Sequence, residues 1–404
     1  MRDGDAAARL FALLGDAQEP EGLAAASARE WGSLYELAAW HGVLPLLALR
    51  LRERSLASRL PPDTRRALDA AYTLGALRAA ALQEQLREVV GALAAHGVRV
   101  VLLKGALVGE ELYGDPSVRP MADVDLLVPG DRLEAARGAL GAVGYRPVAG
   151  GRADYAVHRH DRPLVRPGRL PIELHRAIEP CIAPGTLAIA SVWAGVREVR
   201  IAGVPVLALA PDDLLLHLAT HMGRSHPLGT RLVAVCDVAA WVRRFGPSTH
   251  WATLAARARA AGAGRFVYAA LATAARTLAA AVPHEALAGF DPTPSDEAAV
   301  ATAERLLRQR IVVPGDVTAS APDATPATRL HRVLQAAIPT PAALRRHYGA
   351  HESVPELYLR HVRAGHLGRL MRAAGIAASP WRWPAAWARI GALRTVRRWG
   401  VGDA

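Results

Sequence analysis

The chain has 404 residues, 51% of them apolar, and a formal net charge of +12 at neutral pH, which suits one large or two modest hydrophobic cores and excludes disorder over most of its length. No run of eighteen or more apolar residues lacks a charge, and Met1 to Asp5 carries no basic lead into an apolar segment. Neither a membrane span nor a signal peptide is therefore expected, and a cytoplasmic location is.

From residue 5 to 96 the pattern is helical. Apolar residues recur at three- and four-residue spacing, most clearly over 76–95, and Pro61, Pro62 and Asp63 mark a helix start. His96 and Gly97 close that helix, and residues 98–103 (VRVVLL) read as a short buried strand. Lys104 and Gly105 end the strand, 106–113 reads as a helix, and Gly114, Asp115, Pro116 and Ser117 compose a turn. A second buried strand is expected over 124–128, stopped by Pro129 and Gly130, then a helix over 131–142. Gly144 and Tyr145 open a region of short strands in which 170–175 (LPIELH) alternates. A further β-like run over 196–209 precedes Pro211, Asp212 and Asp213, expected to cap a long helix. Beyond it the chain reads as helices rich in alanine and arginine, interrupted at 291–296 and 313–326, with no repeat period. Cys181 and Cys236 are too few for a disulfide framework and lack the spacing of a zinc site, so both read as small core residues in a reducing compartment.

Of 49 basic residues 48 are arginine, asparagine is absent, and Lys104 is the one lysine. Lysine and asparagine both have A-rich codons, so a GC-rich genome accounts for the bias. The surviving lysine then stands out, because a compact ammonium does what a planar guanidinium cannot at a tight phosphate site. Lys104 and Gly105 precede a helix, whose first N–H groups can meet an anion with no Cβ at Gly105 in the way. Arg119 adds a fork suited to phosphate oxygens or to a nearby acid. On a strand, Asp123 and Asp125 project to one face while Val124 and Leu126 pack behind. Two carboxylates so placed repel unless a cation lies between them, and a hard divalent ion resolves that repulsion. A bare D-x-D is common; here the Leu-Leu-Val that follows buries the strand and fixes the geometry.

The series LKG, Leu112-Tyr113, Arg119 and D-x-D-L-L-V resembles the uncharacterised nucleotidyltransferase family of the DNA polymerase-β-like superfamily. It is similar also to the abortive-infection toxin nucleotidyltransferases. The resemblance implies an α+β fold: a polymerase-β-like core with a mixed sheet, flanked by helical N- and C-terminal regions. In that superfamily two aspartates on one strand and a third carboxylate on a neighbouring strand hold metal for attack on the α-phosphate of an NTP. Carried over, the metal ligands would be Asp123, Asp125 and Glu173, the ion Mg²⁺ or Mn²⁺, and the glycine of the phosphate turn Gly105, with Lys104 and Arg119 beside the phosphates. Glu173 is the candidate for that third acid, because 170–175 alternates so that Glu173 and His175 share a face; Asp154 and Asp161 are the alternatives. The usual Gly-Ser after the first strand is here Lys-Gly, and Gly105 stands eighteen residues before Asp123.

The resemblance extends over residues 214–241, where His217, His221, Arg231 and Asp237 join His175 as candidates for the acceptor side. His217 and His221, four apart, share a helix face, but a zinc metalloprotease would need glutamate after the first histidine, and Leu218 is there. The expected organisation is a helical region over 1–84, the core over 85–210, a helical region covering the active site over 211–312, a linker over 313–326 and a basic helical region over 327–404. The expected activity is transfer of a nucleoside monophosphate from ATP or another NTP to a hydroxyl of a small molecule, peptide or nucleic acid. A phosphotransferase moving the terminal phosphate and a catalytically silent nucleotide-binding regulator are the other readings. Residues 341–404 hold eleven arginines against Glu352, Glu356 and Asp403. Within them Trp381, Trp383, Trp387 and Trp399 interleave with five arginines over 379–401, a segment suited to an anionic membrane, to a polyanion, or to packing on the body.

Overall fold

The computed structural model describes residues 3–16, 26–148, 162–181, 187–201, 203–225, 228–309, 391–393, 395–396 and 398–400. Asp154, Asp161, the 313–326 segment and Trp381, Trp383 and Trp387 lie outside them. Helices α1 (Asp3–Leu14), α2 (Ala28–His41), α3 (Leu44–Glu53) and α4 (Pro62–Ala95) come first. A capping box between Ser27 and Glu30 starts α2, and Gly42, at φ 72°, ends it. Pro62 and Asp63 start α4 as the sequence predicts, and its 34 residues span about 51 Å.

The chain then alternates through β1 (Val101–Leu102), α5 (Lys104–Glu111), β2 (Val124–Leu127), α6 (Leu133–Ala142), β3 (Arg146–Pro147), β4 (Leu164–Val165), β5 (Ile172–His175), α7 (Ile189–Ala194), β6 (Arg197–Ile201) and β7 (Val204–Ala208). The seven strands form one mixed sheet in the order β3-β4-β5-β2-β1-β7-β6. Strand β2 runs parallel to β5 and antiparallel to β1, and β1 runs parallel to β7. With helices on either side in sequence, the fold is α+β. Strand β1 is shorter than the VRVVLL run because the Val98 N–H turns back to Leu93 O to close α4, which removes the first residues from the ladder. The β-like run over 196–209 is a hairpin, β6 against β7, turning where Gly203 takes φ 74°.

Helices α8 (Pro211–Thr220), α9 (Leu232–Phe245), α10 (Trp251–Ala260), α11 (Gly264–Leu278), α12 (His284–Ala288) and α13 (Pro294–Leu307) complete the body. Asp212 and Asp213 do not cap α8: the N-cap is Ala210 without a side-chain bond, and Asp213 instead pairs with Arg257 of α10 at 2.6 Å. A single hydrophobic cluster runs from Ala7 through both sides of the sheet to Leu393, Val396 and Trp399. Among the described residues no helix is long and apolar enough to cross a membrane.

Candidate active site

Strand register builds the site. Asp125 of β2 lies opposite Glu173 of β5, so their backbones sit roughly 4.8 Å apart and both side chains project to one sheet face. His175, two residues beyond Glu173, shares that face. Donor atoms of Asp125, Glu173 and His175 all lie within 4.8 Å of one another. His175 Nε2 is 2.7 Å from Asp125 Oδ1 and 3.7 Å from Glu173 Oε2. Asp125 and His175 are buried, whereas the Glu173 side chain keeps 21% of its surface exposed. Asp123 stands one residue before β2, half-buried, and outside this group.

Lys104 reaches the same carboxylate from the other side. The Leu103 N–H donates to the backbone oxygen of Asp125, so the next residue emerges beside it, and Lys104 Nζ lies 3.2 Å from Asp125 Oδ2. Burial disfavours the Asp125 anion, but the hydrogen bond from His175 and the Lys104 charge outweigh it and hold the carboxyl well below the usual range. Lys104 takes φ 40°, the left-handed region that L side chains rarely adopt, at a cost of about 1–3 kcal/mol. A Cβ at Gly105 would meet the Met121 side chain at 3.2 Å, so the close passage of this turn over Met121 favours glycine. Two carboxylates and an imidazole converging in this way form a donor set that fits a divalent cation.

A second group, of His217, His221 and Glu179, stands behind the first. His217 of α8 is fully buried, and the backbone N–H of Glu179 donates to its Nδ1 at 3.3 Å. That bond places the ring proton on Nε2, which meets no partner among the described residues. Burial, then the neighbouring Lys104 charge, hold the His217 pKa well below its ordinary value and keep the ring neutral. Helix α8 ends at Thr220, and His221 opens a π-helical turn, His221–Ser225, with its Nδ1 3.1 Å from Glu179 Oε1 and its ring 6.2 Å from that of His217. Glu179 is fully buried and was not singled out from the sequence. Its one trace there is an acid set between Ile178 and Pro180 in an apolar stretch.

Arg119 is committed elsewhere. Its Nε donates to both carboxylate oxygens of Asp237, at 3.0 and 2.9 Å, its Nη2 lies 2.9 Å from Oδ2, and its Nη1 donates to Pro120 O. The Tyr113 hydroxyl donates to the same Asp237 Oδ1 at 3.0 Å. Burial pushes the Asp237 carboxyl up, and Arg119 opposes that rise. The Tyr-Arg part of the motif thus ties the α5–β2 connection to α9. Arg231, at the N-cap of α9, is exposed and bonds to Trp40 O, away from both groups.

The carboxylate-histidine group lies on neighbouring parallel strands of an α+β sheet and beside a lysine at a helix start. The uncharacterised nucleotidyltransferase family matches residues 27–279, and the chain belongs to it. The matched segment contains every residue of both groups and the Tyr113, Arg119 and Asp237 triad. Among solved structures the chain is similar to the antibiotic-resistance factor ANT(2'')-Ia, studied in solution for substrate-regulated conformation dynamics. They share 16% identity, with 47% of this chain and 94% of that one covered and a TM-score of 0.34. No curated protein matches the chain.

Proposed function

We propose that the chain uses a divalent cation, Mg²⁺ or Mn²⁺, to transfer a nucleoside monophosphate from an NTP such as ATP to a hydroxyl-bearing acceptor, releasing pyrophosphate. The observation that carries this reading is the convergence of Asp125, Glu173 and His175 within 4.8 Å on one sheet face. These three would hold the ion, with Asp123 from the same chain segment added once phosphates arrive. When bound, the ion neutralises charge on the triphosphate.

The protein's own groups do the rest. Lys104 and the uncapped first turn of α5 bind phosphate oxygens, and Gly105 lets them approach. Glu173, the most exposed member of the group, takes the proton of the acceptor hydroxyl as its oxygen attacks the α-phosphorus and the bond to the β-phosphate breaks. His217, neutral and carrying its proton on Nε2, donates on the acceptor side, with His221 and Glu179 fixing its ring. Arg119 and Asp237 act by holding α5 and β2 against α9 rather than by touching phosphate.

The test is product analysis with NTPs labelled at the α or the γ position, in the parent and in Asp125→Asn, with and without Mg²⁺ or Mn²⁺. The expected result is transfer of the α label and release of pyrophosphate, dependent on the ion and reduced about a hundredfold or more in Asp125→Asn. Transfer of the γ label, with ADP formed from ATP, would make the chain a phosphotransferase. Turnover unchanged in Asp125→Asn would remove the site assignment.

A further inference from the structure

Both oxygens of the Asp125 carboxylate already have a partner inside the protein. Lys104 Nζ is 3.2 Å from Oδ2, and His175 Nε2 is 2.7 Å from Oδ1. Asp125 is 5% exposed, so little water screens what happens beside it. A divalent ion joining Asp125, Glu173 and His175 would share that carboxylate with an ammonium, and two like charges on one buried anion repel strongly. One of them must leave.

Lys104 is equipped to do so. Its charge sits on a flexible four-carbon stem and its side chain keeps 14% of its surface exposed, whereas His175 is enclosed within β5. Its backbone is held at φ 40°, so its place beside Asp125 is maintained against a local conformational preference. At the first residue of α5 it also adjoins N–H groups suited to phosphate, so the ammonium has a second anion within reach of its stem.

We propose that Lys104 is an exchangeable counter-ion. Its ammonium occupies the cation position at Asp125 in the nucleotide-free protein and moves to the triphosphate when nucleotide and divalent ion arrive together. The protein alone then takes up metal poorly, and metal and nucleotide each raise the affinity for the other by the same factor. The inference rests on the metal-assisted reading above and adds to it an order of events: the ion is excluded until phosphate draws the lysine away. Burial, with the Lys104 charge second to it, keeps His217 neutral in the resting state, so the departure of the lysine removes a positive charge from beside the acceptor-side donor.

Mn²⁺ binding to the full chain tests it, measured by calorimetry or by the loss of free Mn²⁺ signal in electron paramagnetic resonance, with and without a non-hydrolysable NTP analogue. Lys104→Met is expected to bind Mn²⁺ alone about tenfold or more tightly than the parent. Lys104→Arg, which keeps the charge, is expected to bind it as weakly as the parent. The analogue should raise the Mn²⁺ affinity of the parent much more than that of Lys104→Met. Circular dichroism verifies folding, and Lys104→Gln replaces the methionine variant if that one unfolds. Equal or weaker Mn²⁺ binding in Lys104→Met, with binding still abolished in Asp125→Asn, overturns the counter-ion and leaves the metal site standing. Tighter binding that Asp125→Asn does not affect places the ion elsewhere and also overturns the proposal. Absence of Mn²⁺ binding in every variant, analogue included, overturns the counter-ion and the metal-assisted reading together.

Discussion

Arg119 and Asp237 hold each other where neither could stand alone: Asp237 is 2% exposed, and the Arg119 side chain keeps 17% of its surface. Burial lowers the tendency of both to ionise, and each counters that effect for the other, with Tyr113 filling a further lone pair of the carboxylate. Removing one partner strands a buried charge, a loss of about 3–5 kcal/mol, while removing both strands none. Arg119→Ala and Asp237→Ala are therefore each expected to lose about that much stability, and the double variant less than the sum, in a denaturant-unfolding cycle. Should Arg119→Ala keep its stability and raise only the KM for NTP, the arginine would belong with the phosphates after all. The sequence shows an arginine between a tyrosine and two aspartates, which suits either role. Its partner lies 118 residues further on, and no local pattern carries a pairing at that separation. Lys104 differs, because its rarity in an arginine-rich chain marked it before its contact with Asp125 was visible.

Among the elements, α9 shows how a helix start can depend on a distant ring. His41, the last residue of α2, accepts the Leu232 N–H on Nδ1 at 3.2 Å and, through Nε2, donates to Leu307 O at 2.9 Å. It thus serves the first turn of α9 and the end of α13 at once, and the bond accepted from Leu232 requires a neutral ring. Burial pushes its pKa down to about 4, an effect that the bond to Leu307 opposes and the charge of Arg231 reinforces. Above pH 6.5 the ring is neutral folded and unfolded, so stability does not vary with pH on its account. As pH falls through 6.5 the unfolded chain takes up a proton that the folded one refuses, and stability drops by about 1.4 kcal/mol per unit until pH 4, about 3 kcal/mol in all. His41→Gln should flatten the pH dependence of unfolding in that window by a comparable amount; an unchanged slope would remove His41 from the account. Element type was otherwise largely readable. The alternation over 170–175 and the Pro62 start gave β5 and α4, because period and caps are local properties. The family resemblance puts Glu173 on a strand neighbouring Asp125, but the register that sets the two opposite each other is not readable from the residues, since it depends on which strands meet. The division of 196–209 into a hairpin was hidden because Gly203 alone marks its turn within a continuous β-like run, and the burial of Glu179 because its partners His217 and His221 lie 38 and 42 residues further on.

Across the whole molecule, the C-terminal residues reach back to the site. Trp399 is buried, donates from Nε1 to Asp296 Oδ1 of α13 at 2.7 Å, meets the Phe266 ring of α11 edge-on at 5.3 Å and lies under Arg265 at 4.7 Å. For this tryptophan the body is the partner, and its arginine neighbour stacks on it. The contact continues onto the π-helical turn that begins at His221. A Cβ on Gly223 would press on Phe266 and Trp399, and a Cβ on Gly400 would collide with the Gly223 carbonyl oxygen. Two glycines thus let the chain end lie directly on the turn that carries His221, and His221 in turn holds Glu179, whose N–H fixes His217. A methyl group at position 400 cannot be relieved by a flexible side chain, because what it meets is backbone. Gly400→Ala is therefore expected to cost about 1–3 kcal/mol and to shift the turn. If the turn aligns His217 through Glu179, kcat for nucleotidyl transfer should fall severalfold while the KM for NTP stays near that of the parent, since Lys104 and Asp125 lie on other elements. Thermal unfolding and steady-state kinetics on the one variant decide between two outcomes. A lowered Tm with full kcat would make the C-terminal contact a stabilising patch, whereas a lowered kcat at a temperature where the variant is fully folded would make the chain end part of what positions the acceptor side.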